Sequence, residues 1–122
     1  MMKKLLIVDD QELYLNSLSF AMQKHFDVII AMSKEESIEK LKKEDVDIAL
    51  IDIRLDETKE GNIDGLKLLE WISMNKPNIS TYIMSAYREF IYAEQALNLG
   101  ARHFFRKPID IISLIAVIKE KG

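Results

Sequence analysis

Five short apolar runs, each followed by a longer stretch with helical spacing, divide this chain from end to end. The runs are "KLLIV" (4–8), "DVIIA" (27–31), "VDIALID" (46–52), "STYIMSA" (80–86) and "RHFF" (102–105). Strands alternating with helices in this way predict a parallel sheet covered on both faces by right-handed crossovers. The stretches between them carry helix signals. In 12–24, Leu15, Leu18 and Met22 fall on one stripe, with Ser19 and Gln23 off it. Ser33 stands three residues before Glu36, the spacing of a capping box, and opens a helix over 34–43 with Ile38 and Leu41 inward. "DETKEGN" (56–62) is a polar loop, and "GLKLLEWISM" makes the third helix. Pro77 and Asn78 break the chain. A fourth helix over 88–98 ends on Gly100, which suits a C′ position, and Asp110 caps a last helix beginning at Ile111. Without repeats or linkers, residues 1–122 form a single domain.

Composition narrows the function classes. The chain has no cysteine, which excludes disulfides, thiolate metal sites and Cys nucleophiles. A net charge of −3 gives no global attraction to nucleic acid or an anionic membrane. "MMKKLLIV" imitates the start of a signal peptide, but its apolar run stops at Asp9, and no stretch is long enough to span a bilayer. The expected location is the cytoplasm.

In an open parallel sheet, ligands bind outside the carboxyl ends of the strands, where the strand order reverses. For the order 2-1-3-4-5, that point lies between the first and third strands. The first ends on Asp9 and Asp10, the third on Asp52, so three carboxylates converge. The fourth strand ends at Ser85 and Ala86, and the fifth just before Lys107 and Pro108. Adjacent carboxylates repel, and burying one is costly without a cation. An all-oxygen acidic cluster suits Mg²⁺, which takes one or two carboxylates and keeps several waters. A carboxylate beside Mg²⁺, with a lysine and a hydroxyl from neighbouring strands, can attack a phosphoryl group.

In these features the sequence resembles the receiver domain of bacterial two-component response regulators. The matching segments are "VDDQE", "ALIDIRL", "DGLKLLE" from Asp64, "IMSAY", "LNLGA" and "HFFRKPI", in the family's order and over essentially the whole chain. The resemblance implies a flavodoxin-like doubly wound α/β fold with five strands and five helices. It implies that Asp52 accepts a phosphoryl group from a sensor histidine kinase or phosphotransfer protein. Asp10 would bind Mg²⁺ directly, Asp9 mainly through water, and the backbone carbonyl of Arg54 would add a ligand. Lys107 would contact the phosphoryl group, across a cis bond to Pro108, and Ser85 and Phe104 would switch together on phosphorylation. The protein would then be a signalling switch, limited as an enzyme to its own phosphorylation and slow dephosphorylation.

Two departures stand out. The family's Met-Pro after the phosphorylated Asp is missing, and 13 residues separate Asp52 from Gly65 where about eight are usual. Arg54 and Tyr87 would gate the hydrolytic water, and Phe104 lacks the hydroxyl of the commoner Tyr. His25 and His103 have no partners at ligand spacing and read as surface or packing residues. On the face formed by the fourth helix, fifth strand and fifth helix, Ile91, Tyr92, Ile112 and Val117 are apolar beyond the inward stripe of Ile111, Leu114, Ile115 and Ile118. They are the expected contact for a second copy, a downstream effector or an output domain.

Three other functions compete with this one. One is a receiver-like interaction module not regulated by phosphorylation. A phosphatase using an Asp-x-Asp motif is disfavoured because Arg54 occupies the second Asp position. A nucleotide-binding protein would need a glycine-rich loop after the first strand.

Overall fold

The structure, a computed structural model, describes residues 2–56, 58–86 and 91–121. Ten elements follow in strict alternation: β1 (Lys4–Val8), α1 (Glu12–Met22), β2 (Asp27–Ala31), α2 (Lys34–Lys43), β3 (Ile48–Asp52), α3 (Asp64–Asn75), β4 (Ser80–Ser85), α4 (Ala93–Asn98), β5 (Phe104–Arg106) and α5 (Ile111–Lys121). All strand pairs are parallel, in the order β2-β1-β3-β4-β5. The doubly wound α/β expectation is therefore met. Among the described residues, no helix is long and apolar enough to cross a membrane.

The continuous apolar runs have a simple cause: the sheet is packed on both sides. Alternate residues of one strand serve opposite cores. Leu6 and Val8 of β1 join Ala49 and Ile51 of β3 and Ile83 of β4 under Leu41 of α2 and Leu66, Leu69 and Ile72 of α3. Leu5 and Ile7 instead join Ile48, Leu50, Tyr82 and Met84 against Leu15, Leu18 and Met22 of α1 and Leu114 and Ile118 of α5. Each side chain fully removed from water contributes roughly 1.5–3 kcal/mol.

Several boundaries differ from the expected ones for reasons of hydrogen bonding. β3 starts at Ile48 rather than residue 46. Asp47 bonds across the entrance of the sheet, its N–H to Lys4 O and its carboxylate to Lys4 N–H. β5 begins two residues later than "RHFF" suggests, because Phe104 is the residue that registers with Ile83. α1 stops at Met22, where the Gln23 N–H closes on Ser19 O. The start of the expected 88–98 helix lies outside the described residues, as does Tyr87; the described helical part is α4. Gly100 does adopt a positive φ of 103° just beyond it, which L side chains rarely tolerate.

The caps are as expected, with one change. Ser33 Oγ accepts the Glu36 N–H at 3.0 Å, but Glu36 returns its carboxylate to the N–H of Met32 rather than to that of Ser33. Asp110 accepts the Ile112 N–H at 3.1 Å and the Ser113 hydroxyl at 2.9 Å.

Candidate functional site

β1 and β3 are neighbours, so their C-terminal ends bring Asp9, Asp10 and Asp52 into one crevice. One oxygen from each lies within 4.8 Å of the others. Asp9 is buried; its N–H continues the ladder to Ala31 O, and its Oδ1 accepts the Gln11 N–H at 2.9 Å, turning the chain into α1. Asp52 is buried at the last position of β3.

Lys107 enters from the end of β5. Its N–H donates to Ser85 O at 2.8 Å, and the Lys107–Pro108 peptide is cis. The side chain bridges two of the acids, with Nζ 2.6 Å from Asp9 Oδ2 and 3.3 Å from Asp52 Oδ2. One ammonium cannot neutralise three carboxylates. Burial pushes the Asp52 carboxyl up to about 8; Lys107 opposes the shift, while the charges of Asp9 and Asp10 add to it. Lys107 itself is raised, because the acids beside it outweigh the pull of burial in the other direction. The donor set, three carboxylates and no nitrogen or sulfur ligand, fits a hard divalent cation in charge and chemistry.

The remaining predicted residues surround this point unevenly. Ser85, fully buried at the end of β4, donates its hydroxyl to Ala86 O at 2.9 Å. Phe104 is half-buried against the core on the α2–α3 side of the sheet. Arg54 leaves β3 two residues after Asp52 and is half-buried. His103 packs its ring 4.6 Å from that of Phe105, and His25 is exposed, 3.5 Å from Lys119 Nζ. Of the four expected contact residues, Ile91 and Ile112 are about four-fifths exposed (80% and 81%). Tyr92 and Val117 are half-buried against the two cores, so the apolar surface is narrower than the spacing suggested.

Two residues at the site escaped the sequence reading. Asn62 Oδ1 accepts from Leu55 N–H at 3.0 Å and from Asp64 N–H at 3.1 Å, which pins the long loop shut across its base. Beyond this clamp, Gly65 lies directly against β3, its N–H donating to Ile53 O at 2.7 Å. The other residue is Tyr14, whose ring centroid lies 4.6 Å from Lys107 Nζ. Its position in the first turn of α1, just after the paired acids, was the available signal.

A five-stranded doubly wound sheet with paired acids after β1, an acid ending β3, a hydroxyl ending β4 and a lysine after β5 defines a receiver. The family profile described as "Response regulator receiver domain" matches residues 5–119, and the chain belongs to that family. It is 33% identical over 120 residues to the acid tolerance regulatory protein ActR of Sinorhizobium medicae, covering 98% of this chain and 59% of that protein. It thus spans about three-fifths of that relative's length, and a quarter of the Escherichia coli regulator ZraR. Among solved structures, a CheY-like response regulator receiver domain protein from Methanospirillum hungatei superposes with a TM-score of 0.88 at 30% identity, covering 99% of this chain and 94% of that one. A Burkholderia pseudomallei response regulator bearing a phosphorylated aspartic acid and a calcium ion aligns with a TM-score of 0.82 at 25% identity, over 94% of this chain and 65% of that one.

Proposed function

We propose that this receiver is phosphorylated on Asp52 in a Mg²⁺-dependent reaction and passes the change to a partner. The observation that carries the reading is the acidic triad, Asp9 and Asp52 buried and Asp10 half-buried, with Lys107 Nζ bridging Asp9 and Asp52. Asp9, Asp10, Asp52 and the backbone carbonyl of Arg54 would hold the ion. Bound there, it supplies the positive charge that keeps Asp52 ionised and offsets charge developing on the phosphoryl oxygens. An Asp52 carboxylate oxygen then attacks phosphorus. The bond from phosphorus to the donor breaks and the donor leaves with the electron pair; a phosphohistidine of a sensor kinase or phosphotransfer protein, protonated on its other ring nitrogen, would leave as neutral imidazole. Lys107 is poised to move from Asp9 and Asp52 onto a phosphoryl oxygen. Ser85 would exchange its bond to Ala86 O for another phosphoryl oxygen, and Phe104 would follow into the space beside it. Ile91 and Ile112, the exposed residues on the α4–β5–α5 face, would meet an output domain, an effector or a second copy.

The test is intact mass after incubation with Mg²⁺ and acetyl phosphate, beside Asp52→Asn. A gain of one phosphoryl group by the wild type alone, lost without Mg²⁺, supports the reading. No gain by a folded wild type overturns it in favour of an interaction module that works without phosphorylation.

A further inference from the structure

We infer that Tyr14 is a positioning residue for Lys107, holding the ammonium over the acidic triad by the face of its ring. The inference rests on the proposed role of Lys107 in phosphoryl transfer. Tyr14 lies in the first turn of α1, half-buried, and makes two contacts with the segment after β5. Its ring covers Lys107 Nζ at 4.6 Å from the centroid, and its hydroxyl oxygen accepts the Ile109 N–H at 3.3 Å. One side chain therefore holds both the ammonium and the backbone beyond the cis Lys107–Pro108 bond.

The choice of a ring face has a chemical consequence. Lys107 already donates to Asp9 and Asp52, and during transfer it must redirect a donor to the incoming oxygen. A further carboxylate or carbonyl beside it would take that donor and hold it in one direction. An aromatic face attracts a cation through its quadrupole without requiring a particular N–H direction. The ammonium stays over the strand ends and remains free to re-aim. α1 is itself anchored there, because Asp9 Oδ1 accepts the N–H of Gln11, the residue before the helix.

The experiment compares wild type, Tyr14→Phe and Tyr14→Leu by the initial rate of phosphoryl incorporation from acetyl phosphate, with Mg²⁺ affinity measured by calorimetry on each. Tyr14→Phe keeps the ring and is expected within about twofold of wild type, whereas Tyr14→Leu keeps bulk without a π face and is expected to be roughly three- to tenfold slower. Mg²⁺ affinity should change little in both, which a general loosening of the site would not allow. Equal slowing of the two variants, or a wild-type rate in Tyr14→Leu, would overturn the inference. A second measurement does not depend on phosphorylation. In the metal-free wild type, the ε-methylene protons of Lys107 should be shifted upfield by the ring, and ordinary positions would refute the contact. A shifted resonance in a protein that takes up no phosphate would leave the Tyr14 contact standing and overturn its role in transfer along with the reading of Asp52.

Discussion

Replacing Gly65 with alanine sets two effects of opposite sign against each other. In a solvent-exposed helix the change would stabilise the protein by up to about 1 kcal/mol, because glycine is the poorer helix former. Gly65, however, lies in the first turn of α3 and packs its backbone onto the end of β3. A Cβ there would sit 2.0 Å from Asp52 O, 2.6 Å from Ile53 Cα and 2.8 Å from Asp52 C, where ordinary contact begins at 3.4 Å. All three are backbone atoms of a buried segment, so no side chain can swing aside. Relief requires α3 to lift, which loosens Leu66, Leu69 and Ile72 in the core. Forced overpacking of this kind costs typically about 1–3 kcal/mol, so the net loss should be about 1–2 kcal/mol once the propensity gain is set against the upper part of that range. For a domain of this size, that corresponds to a melting point lower by roughly 4–8 °C. Urea unfolding followed by circular dichroism measures the loss, with Ser73→Ala, at an exposed position of α3, as the propensity control. The control should gain a few tenths of a kcal/mol, about the difference in helix propensity. Gly65→Ala at or above wild-type stability would refute the close-approach argument. Because the clash is with the carbonyl of Asp52 itself, Mg²⁺ binding should weaken in the same variant.

Asp52→Asn should stabilise the metal-free protein at neutral pH. The folded carboxyl is raised from 3.8 to about 8, so the folded state binds the proton more tightly than the unfolded chain does, and stability falls as pH rises through that window. At about pH 7 the ceiling is roughly 4 kcal/mol, and a gain of about 1–3 kcal/mol is expected after the site relaxes. Thermal melts in EDTA from pH 3 to pH 8 should coincide at the acid end and diverge above it, and a variant less stable at neutral pH would contradict the cost assigned to burying the ionised carboxyl. Asn62→Ala should leave Leu55 N–H and Asp64 N–H without their partner and lower stability by about 1–2 kcal/mol, while Asn62→Asp, which still accepts twice, should recover most of it. Equal loss in both would show that the clamp is not what holds the loop. Ser33→Ala should cost about 1 kcal/mol by removing the α2 cap. The Met32 N–H bond, opposed by burial and aided by Lys40, holds the Glu36 carboxyl below its usual value, so its stabilisation is present above about 4.5 and is lost as pH falls through the lowered value. Melts of Glu36→Gln should therefore converge on wild type in acid, and a gap that persists there would exclude the linkage.

Much of this protein was legible in one dimension because local rules and the global fold agree. β1 and β2 have the ends expected from their apolar runs, since strands packed on both faces are rich in apolar residues along their length. The stripe of Leu15, Leu18 and Met22 and the caps at Ser33 and Asp110 depend on neighbours within one helical turn. Even the convergence of Asp9, Asp10 and Asp52 was open to inference, because residues ending parallel strands must meet at one edge of the sheet.

What only the tertiary structure decided involves partners far apart in sequence. Which residue begins β5 was set by its register with Ile83, not by the composition of "RHFF". Tyr92 and Val117 looked like spare surface on a helical wheel, yet each leans on a core assembled from other elements. The long loop is closed by one side chain, Asn62, which bonds the N–H groups of Leu55 and Asp64 across its base. The same holds for Lys107, whose place between Asp9 and Asp52 under the ring of Tyr14 joins β1, β3, α1 and the turn after β5. Periodicity and capping are short-range and can be read along the chain. Register, burial and the balance of charge depend on which distant segments come to share a volume, and the packed fold alone determines that.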